Sequence, residues 1–488
     1  MLDIIKYSKP LQVLLFTTVA FFIGLSFFIL SDFSPKLLMT AVAALSFPFL
    51  LLIIGNVRKW LVAGIILLIP LHIDVNFYHN FRNQAGAHTM GISAIDIFVF
   101  ILFFLLIFDT VTQKSRRDIH LFPRISVPAV LYIQVCILTL LWAPKFDLAI
   151  MEIVEMIKLF FMYLILANYL QRPDDLKQIV WLLALTVGLQ GVIALLQTLT
   201  GGTLGLAFLG EADVSGPGVG PWRVMGTLGH PNRLAMYLEI LLPVCFALFL
   251  IESRKTCRMW VAGIIGLGLI ALIMTGSRGA WISFVFAMAI LFFFLLKSKR
   301  IRWKALIAPA FVTLLLLIVV SFIFSDMIQE RIYGDDYGSA MSRIPMMHIA
   351  FNLIRDNPIG GVGINNYAEV MRQYNDSILG LQFETISRPV HNMYLLVLGE
   401  TGAIGLIAML FLLAVLIKTL LNTLKSKNSI IAIINMSLLA GIGAMCLHGL
   451  VDKHPPSGYP LFYIIMAIAA ASAVMQKKID HEQTAGVL

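Results

Sequence analysis

The chain has 488 residues, of which 59% are hydrophobic and 13% charged, with a formal net charge of +9. Soluble domains are about one-quarter charged, so an ordinary soluble fold is excluded. Apolar runs of about 20 residues recur from end to end, each able to cross a hydrocarbon core roughly 30 Å thick, and the short alternating segments of a β-barrel are absent.

In chain order these runs predict about fourteen helical spans, at 11–30, 37–55, 60–76, 93–111, 126–142, 149–170, 178–199, 234–251, 259–275, 280–297, 305–325, 392–420, 429–449 and 459–475. The expected fold is all-α: a polytopic membrane helix bundle of about 14 spans with a long, partly helical outward loop. Residues 1–325 hold the first eleven spans, 326–391 an extracytoplasmic loop subdomain, 392–475 the last three spans and 476–488 a cytoplasmic tail. The sixth span carries Glu152, Glu155 and Lys158. Charge is costly near a bilayer centre, so this helix is expected at an edge of the bundle or facing its interior.

Orientation follows from the basic residues. Lys6 and Lys9, the group Lys114, Arg116, Arg117 and Arg124, the group Arg254, Lys255 and Arg258, the run from Lys297 to Lys304, and Lys477 with Lys478 all fall on one side. By the positive-inside rule that side is cytoplasmic and holds both termini. Topology thus accounts for most of the positive charge, and a nucleic-acid partner has no support. The first apolar run lacks a small-residue cleavage site after it and reads as a retained span. Cys136, Cys245, Cys257 and Cys446 lie in spans or an inward loop, so no outward disulfide framework or cysteine metal site is expected.

Polar length collects outward, at 73–92 with His79 and His88, in the glycine-rich 200–233, and in 326–391. The last places Met346, Met347, Ala350, Leu353 and Ile354 at the spacing of one helix face, and so reads as folded. On this topology nine of the twelve outward basic residues are Arg. The planar guanidinium fork suits phosphate or carboxylate, although Arg in loops also occurs for no such reason. Four places hold unusual chemistry: Arg223 before "MGTLGHPN", Arg278 at the tip of "TGSRGAW", the "SRIPMMHIAFNLIRDNPIGGVGINNY" segment with Arg343, His348 and Arg355, and "SRPVHN" with Arg388, His391 and Asn392. Arg278 could equally snorkel to lipid headgroups. His391 could be only interfacial, or a general base at a helix mouth. His230, His348, His448 and His454 compete for that role. His448 and Asp452 flank another outward turn, as candidate acceptor-binding residues or as a plain polar helix end. Glu400 is expected to face the bundle interior.

The ordered set "RVMGTLGHPN", "GSRGAW", "NPIGGVGINNY" and "HNMYLLVLGETGAIGL", from about residue 220 to 410, resembles the O-antigen ligase and polymerase superfamily of membrane glycosyltransferases. The resemblance implies a lipid-linked donor, with Arg223 and Arg278 at its diphosphate, Arg343 and Arg388 as further candidates there, and His391 as the catalytic base. Asn392, His448 and Asp452 are the candidate acceptor contacts. Expected partners are an undecaprenyl-diphosphate-linked glycan donor and acceptor, the lipid bilayer and other polysaccharide-assembly membrane proteins. No cofactor, metal or nucleotide is expected: "GDD" at 334–336 lacks Asp-x-Asp spacing. The leading expectation is a polymerase of a cell-surface polysaccharide, of teichuronic-acid type in a single-membrane envelope. The alternatives are a ligase moving glycan to lipid A core or protein, and a flippase of lipid-linked sugars. A flippase is expected to carry charge along a central cavity, whereas most charge here is in loops.

Overall fold

A computed structural model describes residues 56–79, 89–112, 123–212, 223–301, five positions between 322 and 329, 343–375, 388–453 and 458–484. Its helices are α1 (Val57–Leu68), α2 (Ala94–Val111), α3 (Ser126–Leu138), α4 (Phe146–Tyr169), α5 (Pro173–Thr200), α6 (Pro231–Ile251), α7 (Lys255–Met274), α8 (Arg278–Ser298), α9 (Arg343–Asp356), α10 (Tyr367–Val370), α11 (Met393–Thr423), α12 (Ser429–His448) and α13 (Pro460–Thr484). Eight of these described helices are long and apolar enough to cross a membrane. The all-α membrane bundle is therefore present, with predicted spans 11–30 and 37–55, and 305–325 but for two positions, outside the described residues.

Local chemistry sets the helix ends. Ser93 and Asp96 cap α2 reciprocally, Oγ accepting from the Asp96 amide at 3.1 Å and the Asp96 carboxylate from the Ser93 amide at 2.8 Å. Asn428 Oδ1 accepts from the amides of Ile430 and Ile431 at the start of α12. Proline occupies the first turn of α5 and α6, where its missing N–H costs nothing.

Two predicted elements differ. The 60–76 span is only the 12-residue α1, about 18 Å long at 1.5 Å per residue, because Pro70 follows and its ring disfavours helix before it. The chain then enters a strand at Asp74, and the 73–92 loop is an antiparallel pair, β1 (Asp74–His79) on β2 (Thr89–Ser93). Lys158 of α4 reaches this hairpin, Nζ donating to the Gly91 carbonyl at 3.4 Å, and pairs with Asp96 of α2 at 2.8 Å and Glu155 of its own helix at 3.0 Å. The cation of the sixth predicted span is thus paired, as its membrane position requires. Glu152 of the same helix is buried.

The core is centred on α6, which packs against α5, α7, α8 and α12. A second apolar cluster joins α9 and its following turn to the start of α11, burying Met346, Ile349, Leu353, Tyr367, Val390 and Leu396. The predicted loop subdomain is folded where it is described.

The 392–420 span is interrupted. Gly402 takes φ +66°, ψ −170° inside α11, and the "NPIGGVGINNY" turn is grafted into the break. The Val362 and Gly363 amides donate to the Gly399 and Glu400 carbonyls at 2.9 and 2.8 Å, and the Ala403 amide to the Pro358 carbonyl at 2.9 Å. A Cβ on Gly402 would lie 2.0 Å from the Ile359 carbonyl oxygen, and one on Gly361, itself at φ +67°, 2.4 Å from that of Glu400. On the other side, the Asn366 amide group ties the turn to Lys145, and Asn365 Nδ2 to the Leu148 carbonyl. These glycines and asparagines weld the loop subdomain to the bundle. Buried Glu400 accepts from the Tyr367 amide at 3.4 Å.

Candidate active site at one end of the bundle

The first turns of α6, α8 and α11 and the last turn of α12 meet at one end of the bundle. Asn392 fixes this meeting. Its Oδ1 accepts from the amides of Tyr394 and Leu395 at 3.0 Å each, capping α11, while Nδ2 donates to the Leu450 carbonyl at 3.0 Å. The Met393 amide donates to the Gly449 carbonyl at 2.7 Å, and Tyr394 Oη to that of Cys446 at 2.9 Å. The mouth of α11 is thereby clamped to the turn carrying Asp452, and both ends of the Asn392 side chain are engaged by backbone.

That clamp brings four acid–base groups into one alternating row. His391 Nδ1 lies 3.6 Å from Asp452 Oδ1, His448 Nε2 lies 3.8 Å from Asp452 Oδ2, and His448 Nδ1 lies 3.0 Å from Glu239 Oε1. The row runs from partial solvent exposure to the core: the side chains of His391, Asp452, His448 and Glu239 are 25%, 4%, 2% and 0% exposed. Each carboxylate or imidazole between the ends divides its two polar atoms between two neighbours. Gly279 of the "GSRGAW" turn sits against His448, with no side chain to displace the ring; a Cβ there would be 3.1 Å from Cδ2.

The basic residues surround this row. Arg223 donates from Nε to the Thr275 carbonyl at 2.8 Å and from Nη2 to Asn232 Oδ1 at 2.7 Å, which joins "RVMGTLGHPN" to "TGSRGAW". Its own segment is held from below by Gln197 and Gln190 of α5, whose amides pair with the backbone of Gly226 and Thr227. Arg278 is the first residue of α8, half-buried and adjacent to Gly279. Arg343 opens α9 within electrostatic reach of His448, and exposed Arg388 is within reach of Lys453. Arg233, on the first turn of α6, acts on both Asp452 and Tyr459.

Burial pushes the His230 imidazole down to about 4; Asp452 opposes the fall, while Arg223, Arg233 and Lys453 add to it. Burial also brings the Lys453 ammonium down to about 8, with Arg233 and Arg388 pushing the same way and Asp452 against. Cations thus converge on Asp452, the field an anionic substrate group requires.

The structure separates the rival histidines. His230 is taken up as the cap of α6, Nδ1 accepting from the Asn232 amide at 3.1 Å. His348 lies exposed on α9. His448 is enclosed between two carboxylates, and His454 and His88 lie outside the described residues. His391 combines solvent access with a facing carboxylate. Sequence reasoning missed Glu239, Arg233 and Lys453. The lone carboxylate of "LAMYLEILL", in an otherwise apolar span, was a signal for the first; nothing local marks the other two.

Residues 263–410 match the family model described as O-antigen ligase, from within α7 through the first part of α11. The match takes in Arg278, Arg343, Arg388 and His391 and leaves Arg223, Glu239, His448 and Asp452 outside it. No curated protein matches the chain.

Proposed function

We propose that this member of the O-antigen ligase/polymerase superfamily builds a cell-surface polysaccharide, transferring a growing lipid-linked glycan onto the next lipid-linked repeat unit. The family supports glycan transfer of the ligase or polymerase type, in a membrane and on lipid-linked substrates. The finer reading puts the site on the outer face of the cytoplasmic membrane, with both termini cytoplasmic and an undecaprenyl diphosphate as the leaving group.

The observation that carries the chemistry is the His391–Asp452 pair, set among Arg223, Arg233, Arg388 and Lys453. The acceptor hydroxyl oxygen attacks the anomeric carbon of the donor from the face opposite the diphosphate. The carbon–oxygen bond to the diphosphate breaks and its electron pair leaves with the lipid, giving inversion. His391 Nε2 takes the hydroxyl proton and afterwards returns it to water. Asp452, facing Nδ1, holds the ring with Nε2 toward the acceptor, a role the candidate acceptor contact acquires from its position. Arg223 and Arg278 stabilise the charge that develops on the diphosphate, with Arg343 and Arg388 in support, so the reading calls for no metal there. The bond already present in the donor supplies the driving force.

The test uses purified protein in nanodiscs with a lipid-diphosphate-linked repeat unit as the sole sugar substrate, following glycan length. A ladder of products supports a polymerase. Transfer only after addition of lipid A core or a protein acceptor would favour the ligase reading. Translocation of intact lipid-linked sugar without a new glycosidic bond would overturn both.

A further inference from the structure

Glu239 lies in an apolar stretch of α6, is wholly buried, and touches neither substrate space nor water. A carboxylate in that position is costly, and its Oε2 has no hydrogen-bond partner among the described residues. Its other oxygen is 3.0 Å from His448 Nδ1, so the residue is directed at one target. His448 is itself buried and turns its second nitrogen toward Asp452 Oδ2, while Oδ1, which accepts from the Lys453 amide at 2.7 Å, faces His391.

The division of atoms fixes what Glu239 can do. A neutral imidazole has one N–H and can donate to only one of the two carboxylates flanking His448. An imidazolium bonds Glu239 through Nδ1 at 3.0 Å and sets a second N–H, with its share of the positive charge, 3.8 Å from Asp452. A carboxylate at Glu239 stabilises that cation in a site from which water is excluded. His448 presents its positive charge to Asp452 Oδ2 from 3.8 Å while the Lys453 amide donates to Oδ1 at 2.7 Å, and together they keep Oδ1 opposite His391. The row ends in the core at Glu239, with no exposed group beyond it among the described residues, so it is not a path for the proton taken from the acceptor. That proton leaves from His391, which is partly exposed.

We infer that Glu239 and His448 are a positioning pair for the transfer reaction, acting on His391 only through Asp452, and that the carboxylate of Glu239 is needed for turnover although it touches no substrate. This rests on His391 being the base. It differs from the roles given to the arginines, because the loss of Glu239 should slow the chemical step and leave donor binding unchanged.

The test is a double-mutant cycle on the full-length protein in nanodiscs, with Glu239→Gln, Asp452→Asn and the pair together. Glutamine keeps the size of the side chain and removes its charge. The Glu239→Gln change is expected to lower kcat about 10- to 100-fold with KM for the lipid-linked donor within about twofold, as for outer-sphere residues that orient a reacting group. In the Asp452→Asn background the same change should cost less than about twofold, since the group it acts through is already lost. Equal costs in both backgrounds, an unchanged kcat, or an effect on KM alone would overturn the inference.

A second readout is independent of transfer: the rate at which diethylpyrocarbonate modifies His391, followed by peptide mass spectrometry. Both single variants should change that rate in the same direction, and the double variant no further than Asp452→Asn. A His391 rate untouched by Glu239→Gln would also overturn the inference. Absence of transfer by wild type would instead count against the glycosyltransfer reading, with the labelling result still deciding whether Glu239 reaches His391.

Discussion

His391 and Asp452 face each other, Nδ1 to Oδ1, at 3.6 Å, although one opens α11 and the other follows α12. What holds them there is backbone. The Met393 amide bonds the Gly449 carbonyl and Asn392 bonds that of Leu450, so the two turns move as one unit. Replacing Asp452 by Asn preserves the shape and removes the charge. Turnover should fall about 10²- to 10⁴-fold with the melting temperature nearly unchanged, because an amide presents the wrong partner to Nδ1. The measurement is steady-state glycan transfer beside a thermal melt of the same preparation.

Arg223 makes two directed bonds, to the Thr275 carbonyl and to Asn232 Oδ1. Lysine keeps the charge but cannot hold both partners and a phosphate through one planar fork. Arg223→Lys should weaken donor binding by about tenfold or more, since each hydrogen bond to a charged group contributes about 1.5–3 kcal/mol. Titration of the lipid-diphosphate donor against the two proteins measures it directly.

Much of this architecture is legible in the chain itself. Apolar length locates most of the described spans, although α1 stops at Leu68 rather than 76 and α13 runs on to Thr484 rather than 475, and Asn392 and Asn428 stand where caps belong. The order of motifs around Arg223, Arg278 and His391 points to one site. Three features were not legible. The break at Gly402 looks like any glycine in a membrane helix, because its cause is the approach of the Ile359 carbonyl from another segment. The β1–β2 hairpin is hidden by a polar stretch without clear alternation. The Glu239–His448 contact joins residues on α6 and α12, and only packing decides which side of α6 faces α12.

Gly402→Ala tests the graft. A methyl group there meets backbone rather than a flexible side chain, at a φ that L residues rarely adopt. The expected cost is about 2–4 kcal/mol. A lowered melting temperature should be accompanied by faster protease cleavage within 357–367, since the turn loses its seat.

His230 gives a pH dependence of stability. Its imidazole is held down to about 4 in the fold, against an ordinary value near 6.5, chiefly by burial. Between those values the unfolded chain binds a proton that the folded chain does not, so stability is lost as pH falls from about 6.5 toward 4 and is complete above that window. Thermal melts across this range should show the loss. His230→Asn, which keeps an acceptor for the Asn232 amide, should flatten it.

The central claim, that His391 is the base of a glycan polymerase, is most directly tested by glycan length. Wild type, His391→Ala and Arg278→Ala are each incubated in nanodiscs with a lipid-diphosphate-linked repeat unit and no other sugar. The account predicts a product ladder from wild type that is lost in both variants while all three melt alike. A ladder that survives His391→Ala would contradict it.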